Sequence, residues 1–396
     1  MEHVEYLAGL GPRRVESQAE AETIEYIKGQ FETMGLETTV EWFDFESFRI
    51  ERVVVRLCDR DVEPVTIGIN PYIGRQTYTG RPIFVGPGVS REELGRLDLN
   101  KRIVITTTPV SYFSLVVQNP LVIVYLSSSD YQTLADERCS TCSLTIVGTI
   151  ETHRSANIVA ELVLSPDTRD DQKVILSAHW DTYLDSPGAD DNASGVAVLL
   201  ELARYFATLE NSPSGTIKFI SFGAEELGLV GSRAYLNAHQ GDLVDYDLVI
   251  NLDQVGGPTG PTIELSGGIR GIPDRKGMSQ IPALLQNRTF EGLNGRWRII
   301  DARLVEVMMA ANRPAWLMDA VTTKARELGI DIQPTDNLGS DQQTFTQAGI
   351  VATSVGSMGN QTHSPADLPG QINREGLEAA GKLVAGILLF MLESGP

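Results

Sequence analysis

Residues 174–195 read VILSAHWDTYLDSPGADDNASG. The run Val174-Ile175-Leu176-Ser177-Ala178 has the near-continuous apolar character of a strand buried on both faces. One histidine, four aspartates (Asp181, Asp185, Asp190, Asp191) and a glycine-rich exit follow, and apolar residues then resume at helical spacing from Ala193 to Leu209. A strand that leads through a short loop into a helix is the repeating unit of parallel α/β sheets. The like charge after the strand has two readings: an exposed, solvated turn, or a stretch with something cationic among its carboxylates.

The same rhythm extends outward. Apolar strands are predicted at 174–178, 216–222, 248–252 and 350–355, with helices over Ala193 to Leu209, near Leu227 to His239 and over Trp316 to Leu328. This pattern predicts an α/β fold, a mostly parallel mixed sheet sandwiched by helices. Near the N-terminus, Ile24, Ile27, Phe31 and Met34 recur at three- and four-residue steps and Gly35 follows, which predicts an amphipathic helix packed on that sheet, with a strand over Leu36 to Phe45. From about Arg49 to Glu151 the texture changes to short strands (IERVVVRL, RPIFVGPG, KRIVITTT, NPLVIVYL) separated by Gly, Pro, Asp and Ser. The expected organisation is one catalytic domain from residues 1–47 and 152–396, interrupted by a smaller β-rich domain at 48–151. Within the former, Gly267 to Arg313 carries eight basic residues against four acidic ones. It reads as a lid, a specificity wall or an oligomer contact, or else as a solvated insertion.

The 396 residues carry a formal net charge of −20, which argues against nucleic acid and against an anionic membrane surface as partners. Small substrates or peptides are expected instead. No apolar stretch reaches the length of a bilayer span, and the start MEHVEYLAGLGPRRVESQAE lacks a basic end followed by an apolar segment, so the expected location is cytoplasmic. Three cysteines (Cys58, Cys139, Cys142) do not make a disulfide framework, and Cys139-Ser-Thr-Cys142 has no further ligands nearby to complete a metal site, so these residues read as thiols.

In open α/β sheets ligands bind at the carboxyl ends of the strands. His179 and Asp181 follow the first predicted strand, Glu225 and Glu226 the second (SFGAEELG), Asp253 the third (NLDQVGG), and His363 the fourth (GSMGNQTHSPAD). Taken singly, an Asp before a helix is an N-cap and a Glu pair at a helix start complements its dipole. Together, two histidines and several carboxylates at one sheet edge would repel one another without divalent cations between them, and imidazole with carboxylate suits zinc.

The ordered motifs His179-x-Asp181, Gly188-Ala-Asp-Asp-Asn-Ala-Ser-Gly195, Ala224-Glu-Glu-Leu-Gly-Leu-x-Gly-Ser232, Asn251-x-Asp253 and His363 resemble the di-zinc aminopeptidase family. That family contains bacterial leucine aminopeptidases, aminopeptidase Y, glutamate carboxypeptidase II, glutaminyl cyclases and the transferrin receptor. The resemblance covers about residues 1–47 and 152–390. It implies the zinc exopeptidase fold of phosphorylase/hydrolase type, with the inserted domain in the place of a protease-associated domain. It also implies two Zn²⁺ ions, with cobalt or manganese as substitutes. His179 and Asp253 would bind one ion, Glu226 and His363 the other, and Asp191 would bridge both, with a cis peptide between Asp191 and Asn192. Asp181 would fix the tautomer of His179, and Glu225 would act as general base for a hydroxide bridging the metals.

The implied function is a metallo-aminopeptidase acting on peptides with a free N-terminus. A carboxypeptidase or glutaminyl cyclase of the same fold, or a catalytically silent binding protein, are the alternatives. A homo-oligomer is among the assemblies the sequence leaves open. The sequence departs from the family's Ser-Asp-His at Ser340-Asp341-Gln342, and Asn337 stands near the place of an oxyanion-assisting tyrosine. Trp180 and Tyr183 flank the motif and read as packing residues.

Overall fold

The structure, a computed structural model, describes residues 1–69, 76–107, 115, 120–164, 172–210, 213–257, 262–264, 288–289, 297–299, 315–335, 339–357 and 361–394. It divides into two compact units. The first comprises Met1–Asp44, Arg154–Asn287 and Met308–Pro396, and the second Phe45–His153 and Arg288–Val307.

The first unit holds α1 (Glu2–Gly9), α2 (Gln18–Thr33), β3 (Lys173–His179), α3 (Gly195–Ala207), β4 (Thr216–Phe222), α4 (Val230–Ala238), β5 (Leu248–Asp253), β6 (Thr262–Glu264), α5 (Ala315–Leu328), β7 (Gln333–Thr335), α6 (Gln342–Gln347), β8 (Ala352–Gly356) and α7 (Arg374–Ser394). It also holds parts of two long strands, β1 (Glu37–Leu57) and β2 (Cys142–Val163), along which the chain passes into and out of the second unit. The strand order is β1-β2-β4-β3-β5-β8-β6-β7. The central four strands are mutually parallel, with Phe222 opposite His179, Asn251 opposite Ser177 and Asp253 opposite Gly356. β2 runs antiparallel to β4, and β6 antiparallel to β8.

From β3 the chain moves to β4 on one side and then to β5 on the other. The carboxyl ends of β3 and β5 therefore flank the point where strand order reverses, the place at which open α/β sheets leave a crevice for a ligand. The α/β expectation is met, and so is the mostly parallel character of its centre.

The helices form for the reasons the sequence suggests. The Oγ of Ser17 caps α2 by accepting the amide of Glu20, and Gly35 turns the chain away at φ +80°. The buried stripe Ile24, Ile27 and Phe31 faces the sheet, with the rings of Phe31 and Phe219 6.1 Å apart. α3 is buried almost all round, including Val196, Leu199, Leu200, Ala203 and Phe206, which makes it a core helix.

The second unit has a five-stranded sheet in the order Trp297–Ile299, Thr66–Ile69, Val122–Tyr125, Ile103–Thr106, Ile83–Val85. Only the pairing of Thr66–Ile69 with Val122–Tyr125 is antiparallel. Helices Arg91–Gly95 and Ser128–Asp136 accompany it, capped by Ser90 and Ser127. Both are too short to leave the periodicity that betrays a long helix, so the texture of the sequence reads as more purely β than the unit is. Apart from Arg288–Thr289 and Trp297–Ile299, the basic stretch Gly267 to Arg313 lies outside the described residues.

The cysteines correct the reading from sequence. Cys58 and Cys139, 81 residues apart, form a disulfide with their Cα atoms 5.6 Å apart, and Cys142 is a buried free thiol. The fold brings the end of β1 beside the start of β2, where the amide of Cys58 donates to the carbonyl of Thr141. Spacing along the chain carries no trace of that approach. Disulfides belong to oxidising surroundings, so the cysteines lend no support to the expected cytoplasmic location. No helix among the described residues is long and apolar enough to cross a membrane.

Glu20, in the first turn of α2, is buried, and its carboxylate accepts from the amide of Glu16 and from Ser155 Oγ at 2.7 Å. Burial pushes its pKa from an ordinary 4.5 up to about 7. The folded chain thus holds this proton more tightly than the unfolded chain does. Glu20's contribution to stability is fully present below its unfolded pKa and is lost as pH rises through its folded value. Glu20→Gln cannot ionise. Its stability relative to wild type is expected to rise by up to about 3 kcal/mol between about pH 5 and pH 8. Urea midpoints measured across that range check this, and a difference independent of pH would contradict it.

Candidate metal centre

Each parallel strand delivers part of the site. β3 ends on His179 and β5 on Asp253, while the segments after β4 and β8 carry Glu225-Glu226 and His363. The Nε2 of His179 lies 3.3 Å from Asp253 Oδ1, 3.3 Å from Asp191 Oδ1 and 4.0 Å from Glu225 Oε2. The Nε2 of His363 lies 3.2 Å from Asp191 Oδ2 and 3.1 Å from Glu226 Oε2. Asp191 therefore presents one oxygen to each histidine. Two compact donor groups result, His179 with Glu225 and Asp253, and Asp191 with Glu226 and His363; within each, the donor atoms lie within 4.8 Å of one another.

The turn that carries Asp191 is tightly determined. Gly188 enters it at φ +62°, where a Cβ would sit 2.3 Å from Thr182 Cγ2 and 2.4 Å from the carbonyl of Asp191. The Asp191-Asn192 peptide is cis. The Nδ2 of Asn192 donates to the Leu252 carbonyl at 2.8 Å, and its Oδ1 accepts the amides of Gly195 (2.9 Å) and Gln254 (3.2 Å). This side chain ties the start of α3 to the end of β5. Gly195 has no room for a side chain, since a Cβ would lie 2.5 Å from that same Leu252 carbonyl.

Asp181 lies against the far side of His179. The Nδ1 is 3.2 Å from the Asp181 carbonyl and 3.5 Å from its Oδ1. The same carboxylate accepts the amides of Glu225 at 3.0 Å and Glu226 at 3.1 Å, so one aspartate sets both a histidine and the Glu-Glu turn. Asp190 is buried and accepts the amide of Gly256 at 2.8 Å, and burial pushes its pKa up to about 7. Asp185 is exposed. Of the four aspartates in the opening stretch, three are structural or functional, and only this one fits the solvated-turn reading.

Two further residues, Arg13 and Asp367, were not found from sequence, and Asp341 was singled out only as part of a motif. Arg13 is fully buried and donates to the carbonyls of Trp180 (2.8 Å), Leu7 (3.1 Å), Pro187 (2.7 Å) and Gly188 (2.9 Å). Burial lowers its pKa to about 10. Asp367 accepts the amides of Asp190 (2.8 Å) and Asp191 (3.0 Å), one on each oxygen. Asp341 is fully buried with neither carboxylate oxygen hydrogen-bonded, and burial pushes its pKa up to about 7. Neighbouring Gln342 is also buried, with its Oε1 3.5 Å from Asn251 Nδ2. Asn337 lies outside the described residues. Trp180 packs in the core and donates its indole N–H to the Ala156 carbonyl, whereas Tyr183 stacks on His363.

The electrostatics favour positive charge. Burial opposes a charge on His179, yet Glu225 and Asp253 hold its pKa well above the ordinary value. Burial likewise opposes a charge on His363, and hydrogen bonds to Asp191 and Glu226 raise it to about 10. Burial pushes Glu226 up to about 7 and Glu225 well above the carboxylate range. Asp191 is held low, because its bonds from both histidines outweigh burial. Within this buried group, Glu226 Oε1 has no hydrogen-bond partner, and Asp191 Oδ2 faces the ring nitrogen of His363 at 3.2 Å. Oxygens of this kind, beside imidazole nitrogens, form a donor set suited to divalent cations such as zinc.

In sequence and fold the chain resembles known proteins. Residues 157–271 match the model of Peptidase family M28. Aminopeptidase YwaD of Bacillus subtilis (strain 168) is 29% identical over 221 residues, covering 53% of this chain and 39% of that protein. The chain thus spans less than two thirds of the length of such curated relatives. Among solved structures, the aminopeptidase from Aneurinibacillus sp. strain AM-1 superposes with a TM-score of 0.65 at 21% identity, over 98% of this chain and 92% of that one. BSAP, a zinc aminopeptidase from Bacillus subtilis, does so with a TM-score of 0.59 at 20% identity, over 98% and 93%. Residues 157–271, the segment that carries His179, Asp191, Glu225, Glu226 and Asp253, are similar to Peptidase family M28, and the chain shares its fold with these two aminopeptidases.

Proposed function

We propose that the chain is a zinc-dependent aminopeptidase that removes N-terminal residues from peptides with a free amine. The observation that carries this reading is the two-sided placement of Asp191, with Oδ1 3.3 Å from His179 Nε2 and Oδ2 3.2 Å from His363 Nε2. It supports His179 and Asp253 as donors to one zinc ion, Glu226 and His363 as donors to a second, and Asp191 as the bridge. The unpartnered Oε1 of Glu226 fits the same assignment. When bound, two such ions polarise the scissile carbonyl and lower the pKa of water to roughly 7.

Glu225 belongs to the same cluster as His179 and Asp253, but its Oε2 is 4.0 Å from His179 Nε2, against 3.3 Å for Asp191 Oδ1. That distance favours Asp191 as the donor and leaves Glu225 as the proton carrier. In this role Glu225 takes the proton of the attacking water and delivers it to the nitrogen of the leaving amine. Its backbone is fixed by Asp181, which accepts its amide. Asp181 also orients His179 through Nδ1, which leaves Nε2 as the metal-facing nitrogen. The excess of buried carboxylates favours the ammonium of a peptide N-terminus over the carboxylate a carboxypeptidase would have to receive.

Glu225→Gln is expected to keep its fold and bound zinc while kcat on an aminoacyl reporter falls by about 10²–10⁴; unchanged turnover would remove Glu225 from this role. Asp191→Ala is expected to lose zinc, read by metal analysis after dialysis, and a variant that retains two equivalents would contradict the bridge. Product analysis on leucyl and glutaminyl peptides separates hydrolysis from cyclisation. Release of the free amino acid from the leucyl peptide is expected, and cyclisation of the glutaminyl peptide without any such release would favour the cyclase reading.

A further inference from the structure

We propose that Tyr183 is a positioning residue for His363, taking the place of the hydrogen bond that usually orients a metal-bound histidine. The inference rests on the reading of His363 as a zinc donor. The two histidines of the site are held differently. His179 is buried, with its side chain 1% exposed, and its Nδ1 faces Asp181. The side chain of His363 is 46% exposed, and among the described residues its Nδ1 makes no hydrogen bond. Its backbone sits at φ +60°, in a region that most residues with side chains avoid. Among the described residues, no partner on Nδ1 fixes the rotation of this ring.

The ring of Tyr183 supplies the missing restraint. It stacks on His363 with centroids 4.3 Å apart and planes 20° apart, while Nε2 points at Asp191 and Glu226. A face-on contact of this kind restricts rotation about the Cβ–Cγ bond without blocking the coordinating edge. Tyr183 is itself on a firm base. The Thr182 amide donates to the Arg13 carbonyl, the Arg13 amide to Thr182 Oγ1, and the Ser186 amide to the Tyr183 carbonyl. Tyr183 follows His179 by four residues, so the end of β3 contributes a donor to one half of the site and the loop after it orients the donor of the other half.

Zinc titration of the full chain against a chromophoric chelator tests this, on wild type, Tyr183→Phe, Tyr183→Leu and Tyr183→Ala. Wild type is expected to take up two tight equivalents. Tyr183→Phe keeps the ring, and both equivalents should stay within about threefold of wild type. Tyr183→Ala and Tyr183→Leu should keep one tight equivalent, which reports an intact fold, and bind the other about 10- to 100-fold more weakly. The visible spectrum of the cobalt-loaded protein should change for that second site alone. Two wild-type equivalents together with full affinity in Tyr183→Ala and Tyr183→Leu would overturn the proposal and leave the metal reading standing. Equal weakening in Tyr183→Phe would also overturn it, by moving the effect to the hydroxyl. A wild-type chain without a second zinc equivalent would overturn the metal reading and the proposal together.

Discussion

A buried carboxylate that faces two histidines at once is the constraint on which the rest of this structure turns. Asp191 is 3% exposed, and an anion so far from water persists only where donors or positive charge surround it. The surroundings are supplied from every direction. His179 and His363 approach the two oxygens from either side of the strand-order reversal. The backbone of Asp191 is fixed as well, because Asp367 accepts its amide and Asn192 ties the following turn to the end of β5. The parallel sheet is what makes this feasible, since it brings the carboxyl ends of β3, β4, β5 and β8 to one edge.

Around that carboxylate the supporting residues divide the work by charge. Asp367 and Asp181 gather amides, two each, and so convert flexible segments into fixed ones. Arg13 gathers carbonyls from the loop that runs from Trp180 to Gly188, and its guanidinium is a buried cation beneath a strongly anionic group. A positive charge placed there offsets part of the repulsion among the carboxylates without occupying the space between the histidines. Tyr183 adds a restraint of another kind, a ring face, at the one histidine that is open to solvent.

The strands and helices of the first unit were legible because their signals are local. The apolar run 174–178, the stripe Ile24-Ile27-Phe31 and the stop at Gly35 each act over a few residues, and the structure places elements there. The candidate donors His179, Glu226, Asp253 and His363 were legible as a set, because each follows a predicted strand, and the structure brings those strand ends to one place. Arg13 and Asp367 were not legible. Arg13 sits in Gly-Pro-Arg-Arg, which has the look of surface charge, and Asp367 sits in His-Ser-Pro-Ala-Asp, where it reads as a turn residue. Apart from the nearby Leu7 carbonyl, their partners are backbone groups about 170 residues away, and backbone partners leave no trace in side-chain identity. The Cys58–Cys139 pairing was hidden for the same reason, since it depends on two distant segments meeting. Tyr183 was visible as a neighbour of the motif, but its stacking depends on the path of a segment from the other end of the chain.

The central claim is that Asp191 bridges two metal ions, and anomalous X-ray diffraction from zinc-loaded crystals, collected on either side of the zinc edge, tests it most directly. The account predicts two anomalous peaks, about 3.5–4 Å apart, with one oxygen of Asp191 on each, His179 and Asp253 on the first, and Glu226 and His363 on the second. A single peak, or two peaks with the Asp191 carboxylate turned away from either, would contradict it.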